Sequence, residues 1–142
     1  MPTDLKDKKY LVIVQCHIVK EKCPGHLCEK AYHDRSGGFA EYPADDIRKI
    51  NITCGGCCGR ALHRKLSLLL RTLAKKDKIT KDQVIVQLSS CITQDNFHAP
   101  PCPHIEYLTT LIDRLGLDYR KDTVISASAE KRRACGTWAK TD

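Results

Sequence analysis

The sequence predicts a three-layer α/β fold, with a short, mostly parallel sheet of about four strands and helices on both of its faces. Short apolar, β-branched runs alternate along the chain with longer amphipathic segments, which is the pattern of such a fold. With 142 residues, the chain has the length of one domain and can bury a core without disulfides. It contains no repeat, low-complexity segment or linker, so a single domain over residues 1–142 is predicted.

The first part of the chain contains two predicted strands with a helix between them. Residues 10–14 are a nearly continuous apolar run, as expected of a strand that is covered on both faces. A short helix is predicted for residues 24–34, because two consecutive glycines follow it closely. Residues 50–53 alternate between apolar and polar side chains, which predicts a second, shorter strand.

Two amphipathic helices and two strands are predicted in the rest of the chain. Residues 60–76 place leucines on one face at helical spacing. Residues 84–88 resemble the first strand. Residues 103–115 repeat the helical pattern, with Gly116 suited to the stop. Residues 123–126 are the last and weakest strand, and this order of elements predicts right-handed crossovers in a flavodoxin-like sheet.

Composition and charge narrow the class of protein. No stretch approaches the roughly 20 apolar residues of a membrane span, and the first residues lack the apolar block of a secretory signal, which favours a cytoplasmic location. The formal net charge is +7, but the basic clusters do not interleave with aromatic residues, so solvated helix faces are favoured over a nucleic-acid interface. Nine cysteines without an export signal are more typical of metal ligands or redox groups than of disulfides.

Cysteines follow the first three predicted strands. The first strand runs into Cys16, the second into Cys54 and the third into Cys91. Because parallel strands point the same way, these thiols should gather at one edge of the sheet, where ligands of α/β proteins bind. A single free cysteine is commonly a small core residue, but three successive strand ends favour a shared site.

The chemistry of this cluster favours a thiophilic metal ion, with Zn²⁺ as the first choice. Zinc prefers four thiolate or imidazole ligands in a tetrahedral shell. Cys54 and Cys57 are separated by two glycines, which permit the turn that presents two sulfurs to one ion. Cys102 and His104, at the start of a predicted helix, can supply a third and a fourth ligand, and Cys16 and Cys91 compete for the same places.

Four further thiols are weaker candidates for the same metal. Cys23 and Cys28 flank the start of the predicted helix at residues 24–34; they can cover the site, form a redox pair or simply pack in the core. Cys58 directly follows Cys57 and adds another thiol at the same turn. Cys135 lies near the carboxyl terminus and reaches the site if the chain folds back.

These residues resemble the CGGC-domain family, a group of small bacterial and archaeal proteins regarded as metal-binding. The resemblance covers most of the chain and rests on Cys16, Cys23-Pro24-Gly25 with Cys28, Gly37-Gly38-Phe39-Ala40-Glu41-Tyr42, Cys54-Gly55-Gly56-Cys57, Leu88-Ser89-Ser90-Cys91, Cys102-Pro103-His104-Ile105-Glu106 and Gly136-Thr137. It implies a zinc-type site and no established reaction. The chain departs from the family pattern where Cys58 replaces a proline and where Gln87 and Trp138 replace histidines.

Two other functions compete with metal binding. Cys54 and Cys57 lie between a strand and a helix start, where thiol pKa values fall, so a dithiol oxidoreductase or redox sensor with Cys58 as resolving thiol is the main alternative. Five residues separate Cys54 from Arg60, the spacing of a cysteine-phosphatase loop that holds an oxyanion. This reading is weaker because Ala61 stands where small phosphatases carry a hydroxyl. For a metal protein, the expected roles are metal handling, delivery to a protein partner, sensing or an unassigned metalloenzyme.

Overall fold

The fold is built on four parallel strands. The computed structural model describes residues 8–21, 23–43, 47–55, 60–93 and 102–123. Its strands are β1 (Tyr10–Gln15), β2 (Arg48–Thr53), β3 (Val84–Leu88) and β4 (Asp118–Lys121). All of them pair in parallel in the order β2-β1-β3-β4, which are the first four positions of a flavodoxin-like sheet. The predicted fold class is therefore confirmed.

Within the described ranges, five α-helices connect and cover these strands. They are α1 (His17–Lys20), α2 (His26–Asp34), α3 (Arg60–Thr72), α4 (Ser90–Thr93) and α5 (Ile105–Arg114). A π-helical segment, Leu73–Asp77, continues α3, and short 3₁₀ turns lie at Gly37–Phe39 and Lys81–Gln83. The single-turn helices α1 and α4 were not predicted, since four residues are too few to show a helical period. No helix in the part of the chain that the structure describes is long and apolar enough to cross a bilayer.

Apolar side chains cover both faces of the sheet. On one face, α3 and α5 pack on alternate residues of β1 and β3, and the buried core there includes Val12, Val14, Val86, Leu88, Leu62, Leu66, Leu108 and Ile112. On the other face, α2 and the 3₁₀ turn after it cover the remaining side chains, with a core of Leu11, Ile13, Ile85, Ala31, Phe39, Tyr42 and Ile47. The continuous apolar pattern of β1 follows from this double coverage.

The strand that pairs with β3 is one that was not predicted. It is Asp118–Lys121, which precedes the predicted strand at residues 123–126. Thr123 is buried but follows the strand as coil, and residues 124–126 lie outside the described ranges. Among the described strands, β4 lies at an edge of the sheet and has half-buried and exposed residues, and such strands tolerate charged side chains. Its polar sequence therefore gave no strand signal.

A buried lysine stabilises the amino-terminal edge of the sheet. Lys8 is 5 % exposed, and its ammonium group donates to the carbonyl oxygen of Asp82 at 2.6 Å and to a carboxylate oxygen of Asp118 at 2.7 Å. This contact joins the start of β1 to the starts of β3 and β4. The cysteines that follow β1, β2 and β3 lie at the opposite, carboxyl edge of the sheet.

Candidate functional site

The carboxyl ends of β1, β2 and β3 bring three cysteine-bearing segments together. The N–H of Cys54 donates to the carbonyl oxygen of Gln15 at 3.0 Å, and the N–H of Ser89 donates to that of Val14 at 2.9 Å. These bonds extend the ladder beyond the strands, so the residues that follow stay in register. The N–H of Cys16 then donates to the sulfur of Cys91 at 3.2 Å. The predicted convergence of these strand-end thiols is thus present in the structure.

Three cysteines and two histidines line a small cavity at this edge, which we call the thiol cavity. Its walls are Cys16, Cys54, Cys102 and His104, together with His17, Ile18, Ile92 and Leu108. Its volume is about 20 Å³, and a space of this size admits one water molecule. The N–H of His17 lies 3.5 Å from the sulfur of Cys54 and donates to it. Cys54 itself is 7 % exposed.

The segment before α5 delivers two of these side chains. The N–H of Cys102 donates to the carbonyl oxygen of Ile92 at 2.8 Å, which ties this segment to α4. The N–H of His104 donates to the sulfur of Cys102 at 3.4 Å. His104 is the cap residue of α5 and is exposed, so its ring can turn toward the cavity or toward solvent.

Cys91 has different surroundings from the thiols of the cavity. Its sulfur lies 3.4 Å from the hydroxyl of Ser89 and accepts the N–H of Cys16. Burial raises the pKa of Cys91 to about 11, although both of these hydrogen bonds act in the opposite direction. Cys91 therefore remains a neutral thiol at pH 7.

Cys28 contacts this second group of residues. Its sulfur lies 3.4 Å from the hydroxyl of Ser89 and 3.2 Å from that of Thr123. The two hydroxyls are 3.3 Å apart, and Thr123 also exchanges hydrogen bonds with Ser90 through its N–H and its hydroxyl. We call Cys28, Cys91, Ser89 and Thr123 the hydroxyl–thiol cluster. Cys23, the predicted companion of Cys28, lies in the loop before α2 and donates its N–H to the carbonyl oxygen of Val19.

The hydroxyl residues of this cluster were not among the predicted site residues. Ser89 and Ser90 are 1 % and 2 % exposed, and Thr123 is 1 % exposed. Buried hydroxyls need hydrogen-bond partners, so two consecutive serines after an apolar strand are a signal of a polar cluster. Thr123 had no comparable signal, because its role depends on where β4 ends.

The structure assigns a hydrogen-bonding role within the fold to Gln87. Gln87 is fully buried and accepts a hydrogen bond from the hydroxyl of Tyr42 at 2.7 Å. Its amide donates to the carbonyl oxygen of Gly38 at 3.2 Å and to that of Asp122. Burial raises the pKa of Tyr42 well above its usual value, and the nearby charge of Arg120 opposes this effect. Gln87 therefore ties the 3₁₀ turn to the end of β4, beneath the thiols.

Arg60, the proposed anion ligand, lies at a different place. It is the first residue of α3 and is exposed, and it lines a shallow cleft of about 210 Å³ with His63, Tyr107 and Leu111. Cys54 lines the thiol cavity instead. The residues between them, 56–59, lie outside the described ranges.

Several predicted ligands lie outside the residues that the structure describes. These are Cys57, Cys58 and Cys135, together with the departure at Trp138. Within the described ranges, no group of three or more His, Cys, Asp or Glu side chains is placed to hold a metal ion. All six described cysteines are free of disulfides. Cys16, Cys54 and Cys102 therefore share a cavity without forming a finished coordination shell.

Comparisons with known proteins agree with the resemblance seen in the sequence. A family model described as "CGGC domain" matches residues 10–123. A protein of Methanocaldococcus jannaschii, the uncharacterized protein MJ0582, is 31% identical over 103 residues, which cover 68% of this chain and 70% of that protein. No solved structure shows a significant match.

Proposed function

The chain belongs to the CGGC-domain family, and from this premise we propose that it binds a thiophilic metal ion, with Zn²⁺ preferred, at the thiol cavity. The observation that carries the proposal is the shared cavity of Cys16, Cys54, Cys102 and His104. These side chains come from three separate segments that meet at the carboxyl edge of the sheet. Chance packing of cysteines in the core would not explain why an imidazole lies beside them.

The donor set fits zinc by its chemistry. Three sulfurs and one ring nitrogen make up a common tetrahedral zinc set. Because the described donors are not yet at coordinating positions, binding would draw them together by rotation of short side chains. Cys57, three residues after Cys54 in the sequence, is an additional donor from outside the described residues. Such a site gains its final geometry as it takes up the metal.

Two kinds of role follow from the number of protein ligands. A shell closed by four side chains suits storage, sensing or delivery of the ion to a protein partner. A shell of three leaves one position for a small ligand and gives the ion a Lewis-acid role. Whether the exposed His104 binds the ion would distinguish the shell of four protein ligands from the shell of three.

Elemental analysis tests the proposal directly. Protein purified anaerobically without added metal is expected to hold about one zinc or other thiophilic ion per chain. Cys54→Ser and Cys102→Ser should each lower this content, because each removes a sulfur from the cavity wall. Cys23→Ser is the matched control and should retain the metal, since Cys23 lies in the loop before α2. Metal-free wild-type protein that takes up no zinc on reconstitution would refute the proposal.

Thiol redox chemistry of Cys54 with Cys57 is the second candidate. It is favoured by the position of Cys54 between β2 and α3 and by the N–H of His17 that points at its sulfur. It predicts a reversible Cys54–Cys57 disulfide that forms in metal-free protein. The low exposure of Cys54 argues against rapid attack on large substrates. Oxyanion chemistry with Arg60 has less support, because Arg60 lines another cleft.

A further inference from the structure

The hydroxyl–thiol cluster contains two sulfurs that share one neighbour. The sulfurs of Cys28 and Cys91 each lie 3.4 Å from the hydroxyl of Ser89, so they are separated by at most twice that distance. Cys28 belongs to α2, and Cys91 belongs to α4. We propose that Cys28 and Cys91 form a reversible disulfide when the protein reacts with a hydroperoxide. This inference concerns thiols other than those of the proposed metal site.

The two thiols differ in a way that assigns their roles. Cys28 is partly exposed in the first turn of α2, and its sulfur has two hydroxyl neighbours, Ser89 and Thr123. These hydroxyls can donate to the sulfur when it loses its proton, and they can orient a peroxide in front of it. Cys91 is also partly exposed, but its sulfur accepts the backbone N–H of Cys16 at 3.2 Å, which restrains it. Cys28 is therefore the attacking thiol and Cys91 the resolving thiol.

The reaction balances in two steps. The Cys28 thiolate attacks one oxygen of the hydroperoxide, the O–O bond breaks, and Cys28 becomes a sulfenic acid while the peroxide leaves as water or an alcohol after protonation. The Cys91 sulfur then attacks the sulfenic sulfur, a disulfide forms, and water leaves with the proton of Cys91. The hydroperoxide accepts two electrons in total. A small dithiol restores both thiols by exchange.

A disulfide needs a sulfur–sulfur distance of about 2.05 Å, so the two sulfurs must move toward each other. Cysteine side chains move their sulfurs between staggered positions by rotation about one bond. The bond formed would link α2 to the start of α4, across the end of β3. Cys23 is the competing partner for Cys28 in sequence, but it lies in the preceding loop with its N–H bonded to Val19.

Mass spectrometry after mild oxidation tests the proposal. Reduced full-length protein is treated with about one equivalent of hydrogen peroxide, its remaining thiols are alkylated, and the digested peptides are mapped. The expected result is a cross-linked pair of peptides that contain Cys28 and Cys91, which disappears after treatment with dithiothreitol. In Cys91→Ser, Cys28 should accumulate as a sulfenic acid that reacts with dimedone. In the control Cys23→Ser, the Cys28–Cys91 cross-link should form to the wild-type extent.

Two results would overturn the proposal. One is a dominant cross-link of Cys28 to any other cysteine in wild-type protein. The other is an unmodified Cys28 under conditions in which other thiols of the same sample are oxidised. The wild-type measurement needs no substitution, so it is decisive even if a variant fails to fold. Zinc content is measured on the same sample, and its presence or absence bears only on the metal-binding proposal.

Discussion

Individual buried polar residues determine how the carboxyl edge is held. Gln87 is the clearest case, because its carboxamide uses both ends: the oxygen accepts from Tyr42, and the nitrogen donates to Gly38 and Asp122. A histidine at this position would have one donor and one acceptor when neutral. Glutamine therefore keeps a donor and an acceptor while giving up the ability to titrate near neutral pH.

Replacement of Gln87 tests this role. Gln87→Leu removes the hydrogen bonds of this side chain with Tyr42, Gly38 and Asp122. We therefore expect the free energy of unfolding to fall by about 3 kcal/mol. Tyr42→Phe removes one of these bonds and should cost about 1 kcal/mol. Urea denaturation followed by circular dichroism measures both. Equal stability of Gln87→Leu and wild type would show that the network does not support the fold.

The buried thiol of Cys91 predicts a pH dependence of stability. Its pKa is raised by burial to about 11 in the folded protein, from an ordinary value of 9.0. Its contribution is therefore fully present below pH 9 and is lost as the pH rises toward 11, because only the unfolded chain gives up the proton in that range. The expected loss from this group is about 2 kcal/mol.

Comparison with Cys91→Ala isolates this effect. Burial also raises the pKa of Tyr42, so Tyr42 too lowers the free energy of unfolding at high pH. Wild type and Cys91→Ala both contain Tyr42, so its effect cancels in the comparison. The difference in unfolding free energy between wild type and Cys91→Ala should shrink between pH 9 and pH 11. A difference that stays constant over this range would mean that Cys91 titrates normally in the folded state.

At the scale of elements, the close approach of the 3₁₀ turn to β4 requires a glycine. A Cβ atom on Gly38 would lie 2.1 Å from the carbonyl oxygen of Asp122 and 2.7 Å from its carbonyl carbon. Backbone atoms cannot yield as a flexible side chain can, so Gly38→Ala must push the turn away from the end of β4. The same movement would break the hydrogen bond from the N–H of Gly38 to Thr123.

We therefore expect Gly38→Ala to lower the free energy of unfolding by about 3 kcal/mol. Gly116→Ala is the matched control. Gly116 has a positive φ of 75°, but its Cβ would meet only the flexible side chain of Lys81 at 3.6 Å. Left-handed backbone strain alone should cost about 1 kcal/mol there. Thermal unfolding of both variants checks the order, and an equal cost would show that the turn relaxes freely.

The elements differ in how much of them the sequence could predict. β1 and β3 are buried on both faces, so burial shows directly as a continuous apolar run. The convergence of Cys16, Cys54 and Cys91 was predictable because parallel strands share a direction. The position of β4 was not, since an edge strand needs few apolar residues, and the part played by Thr123 depends on that position. The direction of its side chain also keeps Cys91 out of the thiol cavity, and the spacing of residues in the sequence does not predict that direction.

At the scale of the whole molecule, the strand order explains why thiols collect where they do. The chain places β2 on one side of β1 and β3 on the other, so the crossovers diverge and leave a crevice at the carboxyl ends of β1 and β3. Cys16 and Cys91 follow these two strands. Cys54 enters from β2, and Cys102 enters from the segment before α5. The thiol cavity and the hydroxyl–thiol cluster thus lie next to each other at this crevice, but different residues form them.

Metal binding at this crevice should stabilise the whole fold and release protons. Ligating thiols are bound as thiolates, so a shell of Cys16, Cys54, Cys102 and His104 should release about three protons per zinc ion. Because a metal that binds only the folded state stabilises it, a free zinc concentration of 100 times Kd should add about 2.7 kcal/mol to the free energy of unfolding. Calorimetry in buffers of different ionisation enthalpy measures the protons, and thermal unfolding measures the stability. Cys102→Ser should release about one proton fewer, and Mg²⁺, which prefers oxygen ligands, should have no effect. Zinc binding without proton release would place the ion on imidazoles or carboxylates and away from the thiols.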